Sequence, residues 1–120
     1  MSVVVGVGAR KGVSADEVVK AVMLALQEAG VCLDEVEVIT SATIKQGEKG
    51  LLEAASRLKK HIQFISHERI NAISPPSRSR ANDIGLSGVA EPSVLAYSDD
   101  VRIVLAKRAY GRVTVAIGKK

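Results

Sequence analysis

The 120-residue sequence predicts an α/β domain whose sheet is mostly parallel and closes on a β-hairpin. Three observations carry that expectation. Short β-branched runs alternate with stretches of helical periodicity, an order that demands crossover connections between parallel strands. The first run, Val3 to Val7, is continuously apolar, as suits a strand covered on both faces. The last two runs, Val101 to Leu105 and Val113 to Ile117, are joined through the polar stretch Lys107 to Arg112, which favours a hairpin.

The elements follow in order. After the first strand, Gly6, Gly8 and Gly12 bracket a turn that carries Arg10 and Lys11. Ser14 with Glu17 three residues later forms a capping box, so a helix begins at about Ala15. Val18, Val22, Ala25, Leu26 and Ala29 recur at helical spacing opposite Glu17, Lys20, Gln27 and Glu28, and Gly30 stops the helix. Val36 to Thr40 reads as a second strand, followed by a polar loop through Gly50. Leu51, Ala55 and Leu58 then give a helix face over about 51–60, and Ile62 to Ile65 is a third strand. Ser66 caps a short helix through Ile73. The run Pro75-Pro76-Ser77-Arg78-Ser79-Arg80 breaks it and opens a long loop over 74–87, either a ligand-covering flap or simple disorder. Gly88 to Ala96 is a glycine turn feeding another helix, with Pro92 tolerated in its first turn.

Length predicts one domain, residues 1–120, large enough to bury a core without metal or disulfide support. With 47% hydrophobic but only 2% aromatic residues, that core is aliphatic. The single Cys32 allows no internal disulfide, fits a reducing cytoplasm, and is expected to be inert core. Two histidines, His61 and His67, argue against a metal cluster and read as surface or helix-end residues. Neither a signal peptide nor a membrane-spanning run is evident, so a soluble cytoplasmic protein is expected. The net charge of +4 arises in the second half, where nine Lys/Arg face five Asp/Glu, whereas the first half balances eight against eight. Such a balance suits a polyanionic ligand. The few aromatics, Phe64, Tyr97 and Tyr110, do not interleave with the cations, which disfavours nucleic acid as a partner.

The glycine turn presents backbone N–H groups to an anion at a helix start. Its spacing is neither the dinucleotide fingerprint nor a P-loop, because Gly12 arrives one residue late and no Gly-Lys-Ser/Thr triplet closes it.

Four segments, taken together, resemble the C-terminal domain of the cobalamin-biosynthesis G protein family (CbiG) and its stand-alone relative CobE. They are Gly6-Val-Gly-Ala-Arg-Lys-Gly12, Ser41-Ala-Thr-Ile-Lys45 with Glu48 and Gly50-Leu-Leu52, Gly88-Val-Ala-Glu-Pro92, and Gly111-Arg-Val-Thr-Val-Ala-Ile117. The resemblance implies a three-layer α/β/α domain with a mixed sheet and a role in building the corrin ring of vitamin B12. It also implies kinship with the cobalt-precorrin-5A hydrolase, which opens a lactone and releases acetaldehyde. The implied partners are a precorrin or cobalt-precorrin tetrapyrrole and a separate CbiG N-terminal-like subunit or other corrin-pathway enzymes. No cofactor is expected.

A corrin intermediate is an apolar disc fringed with carboxylates, so its site combines an aliphatic wall with rim cations. The candidate ligand-binding residues are Gly8, Arg10, Lys11, Gly12, Ser41, Lys45, Glu48, Gly88, Val89, Ala90 and Glu91, on three loops expected to converge on one sheet edge. For lactone opening, Glu91 or Glu48 is the candidate base and Lys45 or Arg10 the electrophile. Structural roles compete at each position. Lys45 and Glu48 also suit a surface ion pair worth under about 1 kcal/mol, Glu91 a helix cap, and Lys107, Arg108 and Arg112 the decoration of a hairpin. The competing function is a non-catalytic module that binds a nucleotide, RNA or another polyanion through the same glycine loop and basic half.

Overall fold

A computed structural model describes residues 2–42, 47–66, 68–70 and 90–120. Strand β1 (Val3–Ala9) is buried at every position, as its unbroken apolar run requires. It is the centre of a five-stranded sheet with β2 (Val36–Ala42) and β3 (Ile62–Ile65) on one side. On the other side lie β5 (Val113–Lys119) and, at the edge, β4 (Arg102–Tyr110), giving the order β3-β2-β1-β5-β4. The β1–β2 and β2–β3 ladders are parallel, and β5 pairs antiparallel with both β1 and β4. Only β5 therefore runs against the rest, and the sheet is mixed but mostly parallel in direction.

Side chains alternate across β1, and so do its partners. Val3, Val5, Val7 and Ala9 pack beneath helices α1 (Ala15–Ala29) and α2 (Lys49–Leu58). Val4 faces the other way, against helix α3 (Ala90–Tyr97), in a cluster with Val38, Val94 and Val101. The result is a three-layer α/β/α sandwich with an aliphatic core.

Glycine sets how closely α3 approaches the sheet. A Cβ at Gly6 would overlap the Ala90 carbonyl and crowd Val94, and one at Gly118 would crowd Val94 and Val101. The polar atoms in this tight layer are satisfied. Ser93 Oγ donates to the Ala90 carbonyl at 2.9 Å, which leaves it accepting from the Thr40 hydroxyl at 2.9 Å.

Helix α1 begins and ends where its sequence signals place it. Both halves of the Ser14–Glu17 capping box form, and Gly30 takes the left-handed conformation (φ 73°). Strand β3 has the expected limits, and the Ser66 hydroxyl accepts the Arg69 N–H at 3.2 Å over helical residues 68–70. The remainder of that helix to Ile73, His67 and the loop over 74–87 lie outside the described residues. Among the described residues no helix is long and apolar enough to cross a membrane.

Three expectations are corrected. Helix α2 starts at Lys49 rather than Leu51 and ends at Leu58, where Lys59 adopts a left-handed φ of 60°. Strand β4 continues through Tyr110, leaving a tight turn at Gly111 (φ 68°) and Arg112. Its Lys107 and Arg108 read as loop because they are polar, but an edge strand is where exposed cations discourage unwanted strand pairing. Cys32 is exposed rather than core, because it opens the short 3-10 turn Leu33–Glu35, where its N–H donates to Glu35 Oε1 at 2.9 Å.

Gly6→Ala tests the spacing of the α3 layer. Alanine is no worse than glycine for an extended strand, so a propensity argument predicts no loss. The overlap with Ala90 predicts destabilisation by about 1–3 kcal/mol, read as a lower urea midpoint with an unchanged slope.

Candidate functional site

The carboxyl ends of β1, β2 and β3 lie along one edge of the sheet, where ligands of open α/β sheets bind. The hairpin turn at Gly111 and Arg112 reaches the same edge, since Ala9 pairs with Val113. The Arg10 N–H donates to the Arg112 carbonyl at 3.1 Å, so the glycine turn leaves β1 tied to the hairpin. From there residues 10–14 lead into α1.

Two helices start on this rim, with opposite electrostatics. Helix α1 neutralises its own N-terminal dipole with Asp16 and Glu17. Glu17 accepts the Ser14 N–H at 2.9 Å and is gripped by the Arg112 guanidinium, whose Nε lies 3.0 Å from it, while Asp16 pairs with Arg57. The Arg112 hydrogen bond, reinforced by the Ser14 N–H, holds the Glu17 carboxyl down to about 2. Helix α2 has no acid in its first turn and no side-chain cap, and an exposed lysine, Lys49, occupies its first position. A cation there adds to the positive end of the helix dipole instead of offsetting it.

The two helix starts touch. Gly50, in the first turn of α2, lies against the backbone of Val13 and Ser14, and a Cβ there would overlap the Val13 carbonyl. Glu48, just before α2, sends its carboxylate across to the Gly12 N–H at 3.1 Å rather than back onto its own helix. Gly12 holds a φ of 84°, which a residue with a side chain adopts only under strain. The side chains of Arg10 and Lys11, both exposed, have no partner among the described residues, and neither does Lys49. Arg57, Arg108 and Arg112, by contrast, are each committed to a carboxylate.

Of the residues singled out from sequence, Arg10, Lys11, Gly12 and Glu48 are brought together on this rim. Gly8 is buried in β1, paired with Thr114. Ser41 is fully buried, and its hydroxyl donates to the Val7 carbonyl at 2.7 Å, just beyond Gly6↔Thr40, the last paired position of the β1–β2 ladder. It thus closes the fork between these strands. Ala90 is buried over Gly6, and Glu91 accepts the Lys107 N–H of β4 at 2.7 Å, where the β4–β5 register is irregular. Lys45, Gly88 and Val89 lie outside the described residues. Sequence reasoning missed Lys49, because it counted that position as loop, and it missed the pairing of Arg112 with Glu17. An acid-free Lys-Gly step ahead of an apolar helix face is the local signal that was available for the first; the second joins residues 95 apart. No three His, Cys, Asp or Glu side chains gather as a metal centre would require among the described residues.

Residues 3–118 match the family model described as cobalamin synthesis G C-terminus. A cobalt-precorrin-5A hydrolase of Priestia megaterium is 30% identical over 94% of this chain, which spans only 31% of that protein. Among solved structures, CobE, a protein from the cobalamin (vitamin B12) biosynthetic pathway, superposes with a TM-score of 0.84. It is 27% identical, over 98% of this chain and 89% of that one. The cobalamin biosynthesis protein chiG of Agrobacterium tumefaciens gives 0.77 at 31% identity, over 97% of this chain and 96% of that one.

The Glu17–Arg112 contact makes a pH prediction. The folded carboxyl lies near 2 against an ordinary 4.5, so its contribution to stability is complete above about pH 4.5 and is lost as pH falls through about 2. Arg112→Ala is expected to return the Glu17 midpoint toward 4.5 in an NMR titration of its side-chain carboxyl carbon. A midpoint that stays near 2 would assign the shift to the Ser14 cap alone.

Proposed function

The chain belongs to the cobalamin synthesis G C-terminal family, and from that premise we propose that it binds a carboxylate-fringed corrin intermediate on the rim between β1 and α2. It is a cobalamin biosynthesis protein related to the cobalt-precorrin-5A hydrolases. The observation that carries the proposal is the trio of cations, Arg10, Lys11 and Lys49, which have no side-chain partner among the described residues and gather where α2 starts with no acid in its first turn. Carboxylate arms are the natural complement of such a rim. Arg10 offers a bidentate fork, and the two lysines act as point charges. The reading is further supported by the economy of pairing elsewhere, since neighbouring arginines are already spent on internal acids.

The proposed role lies in, or beside, hydrolysis of the precorrin lactone. Opening a lactone requires a base to activate water and an electrophile at the carbonyl. Lys45, which lies outside the described residues between β2 and α2 in sequence, remains the proposed electrophile. Glu91, engaged with a β4 amide, is better suited to fixing the start of α3 than to moving protons. The chain spans about a third of the hydrolase it matches, and we assign the rest of the chemistry to polypeptide corresponding to the remaining length. This domain supplies the hold on the tetrapyrrole. The relatives described above lend no support to the nucleotide or RNA alternative.

Uroporphyrin III, a tetrapyrrole with acetate and propionate arms, provides the test through its visible absorbance. Wild-type protein is expected to perturb the spectrum saturably. Arg10→Ala, Lys11→Ala and Lys49→Ala should each weaken binding about three- to tenfold, the worth of one solvent-exposed hydrogen-bonded contact. ATP at equal concentration should compete poorly. Binding that is indifferent to all three substitutions, or that ATP abolishes, would refute the proposed site.

A further inference from the structure

Among the described residues each acid of the rim has a partner, but Glu48 has a different kind of partner from the others. Asp16 and Glu17 face arginines. Glu48 instead crosses 36 positions of sequence to accept a single backbone N–H, that of Gly12, next in sequence to Arg10 and Lys11, whose side chains have no partner among the described residues. It leaves its own helix without a side-chain cap in doing so. That amide N–H is what the glycine turn would offer to a guest carboxylate.

From this arrangement we infer that Glu48 is a resident substitute for a guest carboxylate and sets the charge threshold of the site. The inference rests on the proposed carboxylate-binding rim. One amide N–H serves one carboxylate at a time, so a guest arm reaches Gly12 only by displacing Glu48. Exchanging one carboxylate for another on the same donor costs little in hydrogen bonding. What tips the exchange is the guest's remaining charge, which engages Arg10, Lys11 and Lys49 together. A guest with many carboxylates displaces Glu48; one with a single carboxylate does not. Glu48 is thereby a specificity-determining residue that opposes binding, and its removal strengthens the complex.

Affinity for uroporphyrin III in four proteins tests the inference: wild type, Glu48→Ala, Glu48→Gln and, as a control, Glu53→Gln. Glu53 is an acid within α2, paired with Arg57 and remote from the Gly12 amide in its contacts. Glu48→Ala is expected to tighten binding about three- to tenfold, and Glu48→Gln by less, because the amide side chain remains a weaker acceptor for Gly12. Glu53→Gln should stay within about twofold of wild type, as an exposed charge at a distance is screened. Glu48→Gln keeps the shape of the side chain, so the test survives if the alanine variant loosens the fold. Weaker binding in both Glu48 variants would overturn the inference while leaving the rim intact, since Glu48 would then be holding the turn for the guest. An equal gain in Glu53→Gln would reduce the effect to net charge and overturn it too. If no protein binds the tetrapyrrole, the rim reading falls, and this inference with it.

Discussion

No side chain fits between the start of α2 and the backbone of Val13 and Ser14. Gly50 is the residue that allows this contact, and with it two loops that leave different strands are brought against each other. Glu48 then bridges them through the Gly12 amide. The loops cannot be considered separately, because the cations of one and the helix start of the other form a single surface. A substitution at Gly50 is therefore a change to the site as much as to the packing beneath it.

The electrostatic character of that surface comes from an asymmetry between two otherwise similar helices. Helix α1 seals its own start with Ser14, Asp16 and Glu17, and its acids are further neutralised by Arg57 and Arg112. Helix α2 has Lys49 where an acid would be more stable. A cation placed against the dipole loses a few tenths of a kcal/mol, up to about 1 kcal/mol. That is a small cost for the fold, and under the proposed function it serves to recruit an anion. On the other face of the sheet, the Gly6 and Gly118 contacts hold α3 close and leave Glu91 bound to the edge strand. The two faces thus divide the work, with α1 and α2 framing the rim and α3 bracing the sheet behind it.

How much of this was legible in the sequence follows from how local each signal is. Helix α1 was readable at both ends because its stops are side-chain and glycine chemistry within a few residues, Ser14 to Glu17 and Gly30. Strand β1 was readable because burial on both faces leaves a continuous apolar run. The alternation of strands with helices, and so a mostly parallel sheet with its closing hairpin, followed from periodicity, while the mixed three-layer form was what the family resemblance implied. The start of α2 was not legible, since glycine at a helix start is disfavoured by propensity and Gly50 is explained only by its neighbour 37 positions away. Strand β4 looked short because the polarity of an edge strand resembles that of a loop. In the candidate site, Arg10, Lys11 and Gly12 stood out as a motif, whereas the contact of Glu48 with Gly12 and the exposure of Lys49 belong to tertiary structure.

The central claim is spatial: a carboxylate-bearing tetrapyrrole is held where the glycine turn meets the start of α2. A footprint of bound uroporphyrin III on the backbone, read from 1H–15N correlation spectra of the labelled protein, tests it most directly. The account predicts that the largest amide shifts fall on residues 10–14 and 47–51, with the exposed strand β4 and the outer face of α1 undisturbed. Shifts concentrated instead on Met23 and Leu24 of α1 and Leu33 of the 3-10 turn, which line a shallow surface cavity together, with Gly12 and Lys49 unmoved, would contradict it.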